Sequence, residues 1–239
     1  MTKTVLISGA TGYIGRRLAH QLISRKDLHL RLLVRNSAKL EPELRSNADI
    51  RQGSTFDPGS LDDSLSGVHT AYYLIHSMGS GKGYRSLDRT SAGNFLDACI
   101  RCSVSRIIYL GGLGEKETAS EHLLSRIETG EILSSHPDCL QPLWFRAGII
   151  IGSGSASFEI IRNLVEKLPL MITPRFVRTR TQPIAVTDVI KYLESGLDLK
   201  NDNNHKIDIG SGIMTFKEMM LQTGHLLGLK RRMIAVPIF

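Results

Sequence analysis

Apolar and polar positions along this chain fall into blocks whose period changes. Thr4-Val5-Leu6-Ile7-Ser8 is a short apolar run ended by Gly9, after which Ile14, Leu18, Leu22 and Ile23 recur at helical spacing. The pattern predicts a strand, a turn and a helix. Leu30-Arg31-Leu32-Leu33-Val34 predicts a second strand, followed by a polar helix and by Ile50 leading into Gly53. Asp57-Pro58 then opens a third helix, with proline near its first turn. Ala71-Tyr72-Tyr73-Leu74-Ile75 predicts the next strand and leads into a Gly-rich loop from Met78 to Gly83. A long helix carrying Leu87, Phe95, Leu96 and Ile100 delivers Arg106-Ile107-Ile108-Tyr109-Leu110, and a further helix precedes Leu143-Trp144-Phe145-Arg146.

Strands that alternate with helices, and that are apolar throughout instead of every second residue, predict a parallel sheet covered on both faces. The expected class is α/β, a doubly wound sheet over residues 1–152. After Gly152 the regularity drops, with Pro169, Pro174 and Pro183 punctuating the chain. Residues 153–239 are therefore expected to form a smaller substrate-side region packed on the same domain. Met214, Met219 and Met220, at roughly helical spacing, read as core.

The chain's 239 residues, 41% hydrophobic and 22% charged, fit that domain and can bury a real core. The net charge of +7 is spread along the sequence, with no long basic run, and suits anionic small molecules at least as well as nucleic acid; no recognised nucleic-acid module accompanies it. No apolar run approaches the roughly 20 residues of a membrane span, and the chain enters a strand without a signal-peptide pattern, so a cytoplasmic location is the default. An odd number of cysteines, at Cys99, Cys102 and Cys139, argues against a disulfide framework. Cys99-Ile100-Arg101-Cys102 has redox spacing but falls near a helix end, where two ordinary thiols are the stronger reading. No metal-ligand motif is present, and no metal is proposed.

The chemistry begins at Gly9-Ala10-Thr11-Gly12-Tyr13-Ile14-Gly15, three glycines three residues apart where the first strand becomes the first helix. In a dinucleotide-binding turn the first glycine permits the bend, the second lets the backbone approach the pyrophosphate, and the third allows close helix–strand packing. The helix N-terminus then offers free amides and a positive dipole end. The ribose-discriminating position follows the second strand, about twenty residues on, and an acidic residue there would accept from the 2′-hydroxyl of NAD. Here it is Arg35, which instead matches the 2′-phosphate of NADP; Asn36, Ser37 and Lys39 add donors. NADP(H) is the expected ligand and NAD(H) the alternative. Gly81-Lys82 is no P-loop, since His76 and Gly83 stand where glycine and Ser or Thr are required. His76 and Ser77 follow the fourth strand and are expected to face the cofactor pocket.

Four further segments, Ala71 to Gly81 (AYYLIHSMGSG), Tyr109 to Gly114 (YLGGLG), Ile150 to Glu159 (IIGSGSASFE) and Arg178 to Val189 (RTRTQPIAVTDV), together with GATGYIG at Gly9 to Gly15, carry a resemblance to a known family. The chain resembles the atypical, extended-like short-chain dehydrogenase/reductases, in particular the NmrA-like and YbjT-like oxidoreductases often joined to a DUF2867 region. That C-terminal region is absent, which fits a truncated chain. The resemblance implies a cofactor site that includes Gly9, Thr11, Gly12, Tyr13, Ile14, Gly15, Arg35 and Leu74.

The wider superfamily uses a Tyr-x-x-x-Lys pair, in which Lys lowers the Tyr pKa and holds the nicotinamide ribose while the phenol exchanges a proton. No tyrosine here has Lys four residues later, and His122 and Arg126 occupy that spacing instead. His122 can serve as proton donor and Arg126 as a ribose ligand, though Arg relays no proton; the alternative is two ordinary helix residues around a degenerate site. Gly111, Gly112 and Gly114 are expected to leave room where the superfamily presents Ser or Thr. Pro174-Arg175-Phe176-Val177-Arg178-Thr179-Arg180 could hold an anionic group or be a solvated loop. The expected partners are a dinucleotide and a small-molecule substrate, no nucleic acid, and a homodimer left open. Hydride transfer on a small organic molecule is the first functional expectation, and a non-catalytic NADP(H) sensor or assembly factor is the second.

Overall fold

The computed structural model describes residues 2–76, 83–173, 179–200 and 205–235. Six strands and five helices alternate through its first part. They are β1 (Lys3–Ser8), α1 (Tyr13–Ile23), β2 (Leu28–Val34), α2 (Pro42–Asn47), β3 (Asp49–Gln52), α3 (Pro58–Leu65), β4 (Thr70–Tyr73), α4 (Tyr84–Arg101), β5 (Arg106–Gly112), α5 (Glu121–Leu133) and β6 (Gln141–Ala147). A late strand, His205–Ile209, joins them in one seven-stranded sheet, ordered His205–Ile209, β6, β5, β4, β1, β2, β3. The ladders from β3 through β2, β1 and β4 to β5 are all parallel. The chain order reverses beside β1, which opens the crevice where such sheets bind ligands. The expected α/β, doubly wound architecture is the one observed.

Local sequence accounts for the boundaries. Asp57 caps α3 by accepting from the Gly59 amide at 3.2 Å, with Pro58 at the first helical position. Cys99 lies buried in the last turn of α4 and Cys102 caps it, and burial raises the pKa of both thiols, as ordinary helix residues require. Between the sheet and α3, α4 and α5, the core gathers Leu6, Leu61, Tyr73, Phe95, Tyr109 and Trp144.

The residues group into two compact units, Met1–Arg146 with Ile190–Asp208, and Ala147–Val189 with Ile209–Phe239. This differs from a single cut after residue 152, because residues 190–208 belong with the sheet. Within the first unit Tyr72 donates its hydroxyl to the Leu193 carbonyl at 2.7 Å. Arg106, only 9% exposed, donates to the carbonyls of Gly196 at 2.6 Å, Leu197 at 3.1 Å and Leu199 at 2.7 Å. Arg146 pairs with Asp208 through two bonds of 2.6 and 2.8 Å.

The second unit is more regular than its prolines suggest. Helices Ala156–Lys167 and Phe216–Leu226 pack together over Ile161, Val165, Met171, Met219 and Met220, so the methionines are core. Thr215 and Glu218 form a reciprocal capping box at the start of the second helix. A cavity of about 430 Å³ lies in this unit, walled mainly by apolar side chains such as Phe158, Ile184, Met214 and Leu226. No helix among the described residues is long and apolar enough to cross a membrane.

The Arg106 bonds set a stability test. Replacing Arg106→Leu strips partners from three carbonyls and is expected to cost about 3 kcal/mol in urea unfolding, since bonds to charged groups are each worth roughly 1.5–3 kcal/mol.

Candidate cofactor site

The site grows out of the turn between β1 and α1. Gly9 sits at φ +78°, a left-handed conformation, and a Cβ there would come within 2.5 Å of the Leu74 carbonyl oxygen. The Gly12 amide closes the turn on the Gly9 carbonyl at 2.9 Å. Gly12 then caps α1 with extended backbone and no side chain of its own to accept from the first-turn amides, and no acidic residue occupies that turn. These amides and the helix dipole therefore face outward together. Gly15 is buried behind them, where any Cβ would strike the Gly9 carbonyl and lie 3.0 Å from the Ala10 Cα.

A cavity of about 430 Å³ opens over the turn, lined in part by Gly9, Thr11, Gly12, Arg35, Leu74 and His76. Six of the sequence-predicted cofactor residues thus line one cavity. The remaining three are placed differently. Gly15 is packing; Ile14 is half-buried; Tyr13 carries the Arg17 guanidinium 3.9 Å from its ring centroid, and its buried hydroxyl has no partner among the described residues. Arg35 is exposed and makes no ion pair among the described residues.

Sequence reasoning did not find another part of the lining, Gly53 to Phe56 after β3 together with Ser91 of α4. There Thr55 Oγ1 and Ser91 Oγ lie 2.6 Å apart and Ser91 Oγ lies 2.7 Å from the Tyr73 hydroxyl, a chain of three hydroxyls leading from the cavity into the core. Burial pushes the Tyr73 phenol well above its usual range. No local spacing signals this chain, since its members come from β4, α4 and the loop after β3.

His76 stands at the exit of β4 with its ring edge-on to Tyr109, centroids 5.9 Å apart. Burial lowers its pKa to about 4, the nearby Arg126 cation acts in the same direction, and Asp88 and a hydrogen bond to the Leu110 backbone oppose them. The imidazole is neutral at physiological pH. Arg126 is half-buried, and its carbonyl accepts from the Tyr109 hydroxyl at 3.0 Å. His122 is exposed, stacked on Tyr84 at 4.8 Å, and is not among the residues lining the cavity. Ser77, the Met78–Gly83 loop up to residue 82 and the basic segment at 174–178 lie outside the described residues.

The room expected around Gly111, Gly112 and Gly114 is filled. A Cβ on Gly111 would meet the Trp144 indole Nε1 at 2.5 Å, and Cβ atoms on Gly112 and Gly114 would meet Leu123 at 2.5 and 2.6 Å. Gly130 of α5 likewise gives way to the same indole. These glycines seat large apolar side chains instead of opening a substrate niche.

A family model described as NAD(P)H-binding matches residues 9–136, more than half of the chain. The chain belongs to the NAD(P)H-binding family. No curated protein matches the sequence. Among solved structures, a nucleoside-diphosphate-sugar epimerase from Staphylococcus aureus is similar at TM-score 0.80 and 17% identity, covering 99% of this chain and 80% of that one. A short-chain dehydrogenase/reductase superfamily protein from Agrobacterium tumefaciens with bound NAD is similar at TM-score 0.79 and 14% identity, over 98% and 86% of the two chains. UDP-glucose 4-epimerase from Thermotoga maritima with UDP-glucose gives TM-score 0.76 at 14% identity, over 99% and 86%. These likenesses show a Rossmann-type fold.

The glycines of this NAD(P)H-binding domain separate by substitution. At Gly12 a Cβ would meet only the Gly9 carbonyl, at 3.2 Å, so Gly12→Ala is expected to melt within a few degrees of wild type while losing at least about 10-fold in dinucleotide affinity. Gly15→Ala should lower the melting temperature itself. Thermal melts and calorimetric titration read the two effects apart.

Proposed function

We propose that this protein is an NADP(H)-dependent oxidoreductase that moves hydride to or from a small organic substrate. The observation carrying the NADP(H) preference is Arg35, an exposed guanidinium on the wall of the cavity, at the end of β2, with no ion-pair partner among the described residues. A carboxylate there would accept from a ribose hydroxyl and repel a phosphate, whereas the planar guanidinium fits a phosphate through two parallel bonds. The Gly9 to Gly15 turn holds the pyrophosphate on the open amides of α1, and Leu74 and His76 border the cavity at the exit of β4.

When bound, the nicotinamide ring supplies or takes up the hydride. The chain's own contribution is orientation and a fixed local field. Arg126 offers a permanent cation one helical turn from the His122 position, suited to a ribose hydroxyl or a developing negative charge on substrate oxygen.

The seating of Trp144 and Leu123 on the glycines, where the superfamily presents a hydroxyl, favours a second reading, a non-catalytic NADP(H) sensor or assembly factor. Such a switch requires different affinities for NADP⁺ and NADPH.

One measurement separates these readings and a second tests the NADP(H) preference that both share. Purified protein with NADPH and a panel of carbonyl and enone compounds is expected to oxidise cofactor; no turnover anywhere, together with unequal NADP⁺ and NADPH affinities, would favour the sensor. Arg35→Ala is expected to weaken NADPH binding about 10- to 100-fold while changing NADH binding by less than about 3-fold, as loss of one charged phosphate contact implies. Equal losses for both cofactors count against the 2′-phosphate role.

A further inference from the structure

The sheet divides the cavity into two halves. β2 and β3 lie on one side of β1 and bring Arg35 and the loop Gly53 to Phe56; β4 lies on the other and brings Leu74 to His76. With the pyrophosphate over the turn at the end of β1, the adenosine half falls on the Arg35 side and the nicotinamide half on the β4 side. The Tyr-x-x-x-Lys lysine that holds the nicotinamide ribose elsewhere in the superfamily has no counterpart among the tyrosines here. On the β4 side His76 is, among the described residues, the titratable side chain that lines the cavity.

We propose that His76 grips the nicotinamide-ribose half of the dinucleotide, accepting a hydrogen bond from a ribose hydroxyl through the ring nitrogen that is not turned to Leu110. This rests on the NADP(H) reading above and adds a binding residue to it. One ring N–H is engaged by the Leu110 backbone, and packing against Tyr109 limits ring rotation. In a neutral imidazole the second nitrogen is then a lone-pair acceptor, and a ribose hydroxyl is a matching donor. The groups facing the ring are Arg126 on α5, Asp88 on α4 and Tyr109 on β5. The ring's low pKa, about 4, keeps that acceptor unprotonated through the physiological range. Protonation would abolish it, so the contact persists above that value and is lost only as pH falls through it.

The test compares NADP⁺ with 2′,5′-ADP, which carries the adenosine half and the 2′-phosphate but no nicotinamide ribose. By calorimetric titration, His76→Phe is expected to weaken NADP⁺ about 5- to 10-fold and to leave 2′,5′-ADP unchanged, whereas His76→Gln, which retains an acceptor, stays within about 3-fold for both. The wild-type to His76→Phe affinity ratio for NADP⁺ should also remain constant from pH 7.5 to about 5.5, because protonation of the 2′-phosphate acts on both proteins alike. Thermal melts report folding; if His76→Phe unfolds, His76→Met carries the same comparison. Equal losses for both ligands, no loss for either, an equal loss in His76→Gln, or a ratio collapsing near pH 6.5 overturns the proposal. Failure of the wild type to bind either ligand overturns the NADP(H) reading as well, so the two failures are distinct.

Discussion

The site depends on how closely the turn after β1 approaches the end of β4. Gly9 places its Cα where a single methyl group would stand 2.5 Å from the Leu74 carbonyl oxygen. That contact seats the exit of β4, and with it His76, beside the open end of α1. Gly15 then brings α1 down on the Gly9 carbonyl, so the helix can point its first amides at the same space. Of the three glycines, two are spent on backbone packing and one, Gly12, leaves the approach to ligand clear. The regularity of their spacing hides this division, which appears only when each missing Cβ is placed in its surroundings.

A second fit shapes the chemistry. The Trp144 indole occupies the space that side chains at Gly111 and Gly130 would take, and Leu123 occupies that of Gly112 and Gly114. Interiors packed to crystal density do not leave such space empty. A run of glycines after a strand therefore reads equally well as an opening or as a socket, and here it is a socket. The consequence for function is direct, because a hydroxyl cannot be presented to substrate from residues whose Cβ positions are already filled. Polar groups near the cavity come instead from His76, from Arg126 and from the Thr55–Ser91–Tyr73 hydroxyls.

How much of this was legible in the sequence follows from how local each signal is. Strands buried on both faces announce themselves as apolar runs, and Asp57-Pro58 announces a helix start, because cap and backbone act within a few residues. The glycine turn was equally plain. The return of residues 190–208 to the first unit was not, since it rests on Arg106, Tyr72 and Arg146 reaching partners 62 to 121 positions away. The helices after Gly152 were obscured by prolines that fall between elements, such as Pro169 beyond the end of Ala156–Lys167. Arg126 and His122 looked equivalent as a spaced pair, but one lies half-buried near His76 and the other is exposed on Tyr84.

On the proposed reading the two ends of the cavity meet opposite electrostatic problems. Arg35 is exposed, so it stays solvated without ligand and attracts a phosphate through a contact that salt screens. His76 is half-buried, and charging it there would set a partly desolvated cation beside Arg126. Burial resolves this by keeping the ring neutral, which turns a residue that ordinarily switches near neutrality into an acceptor of fixed polarity. A nicotinamide half held in this way does not vary with physiological pH, because the neighbouring polar group has no proton to gain or lose there. Any pH dependence of turnover above about pH 5 must then arise from groups other than His76.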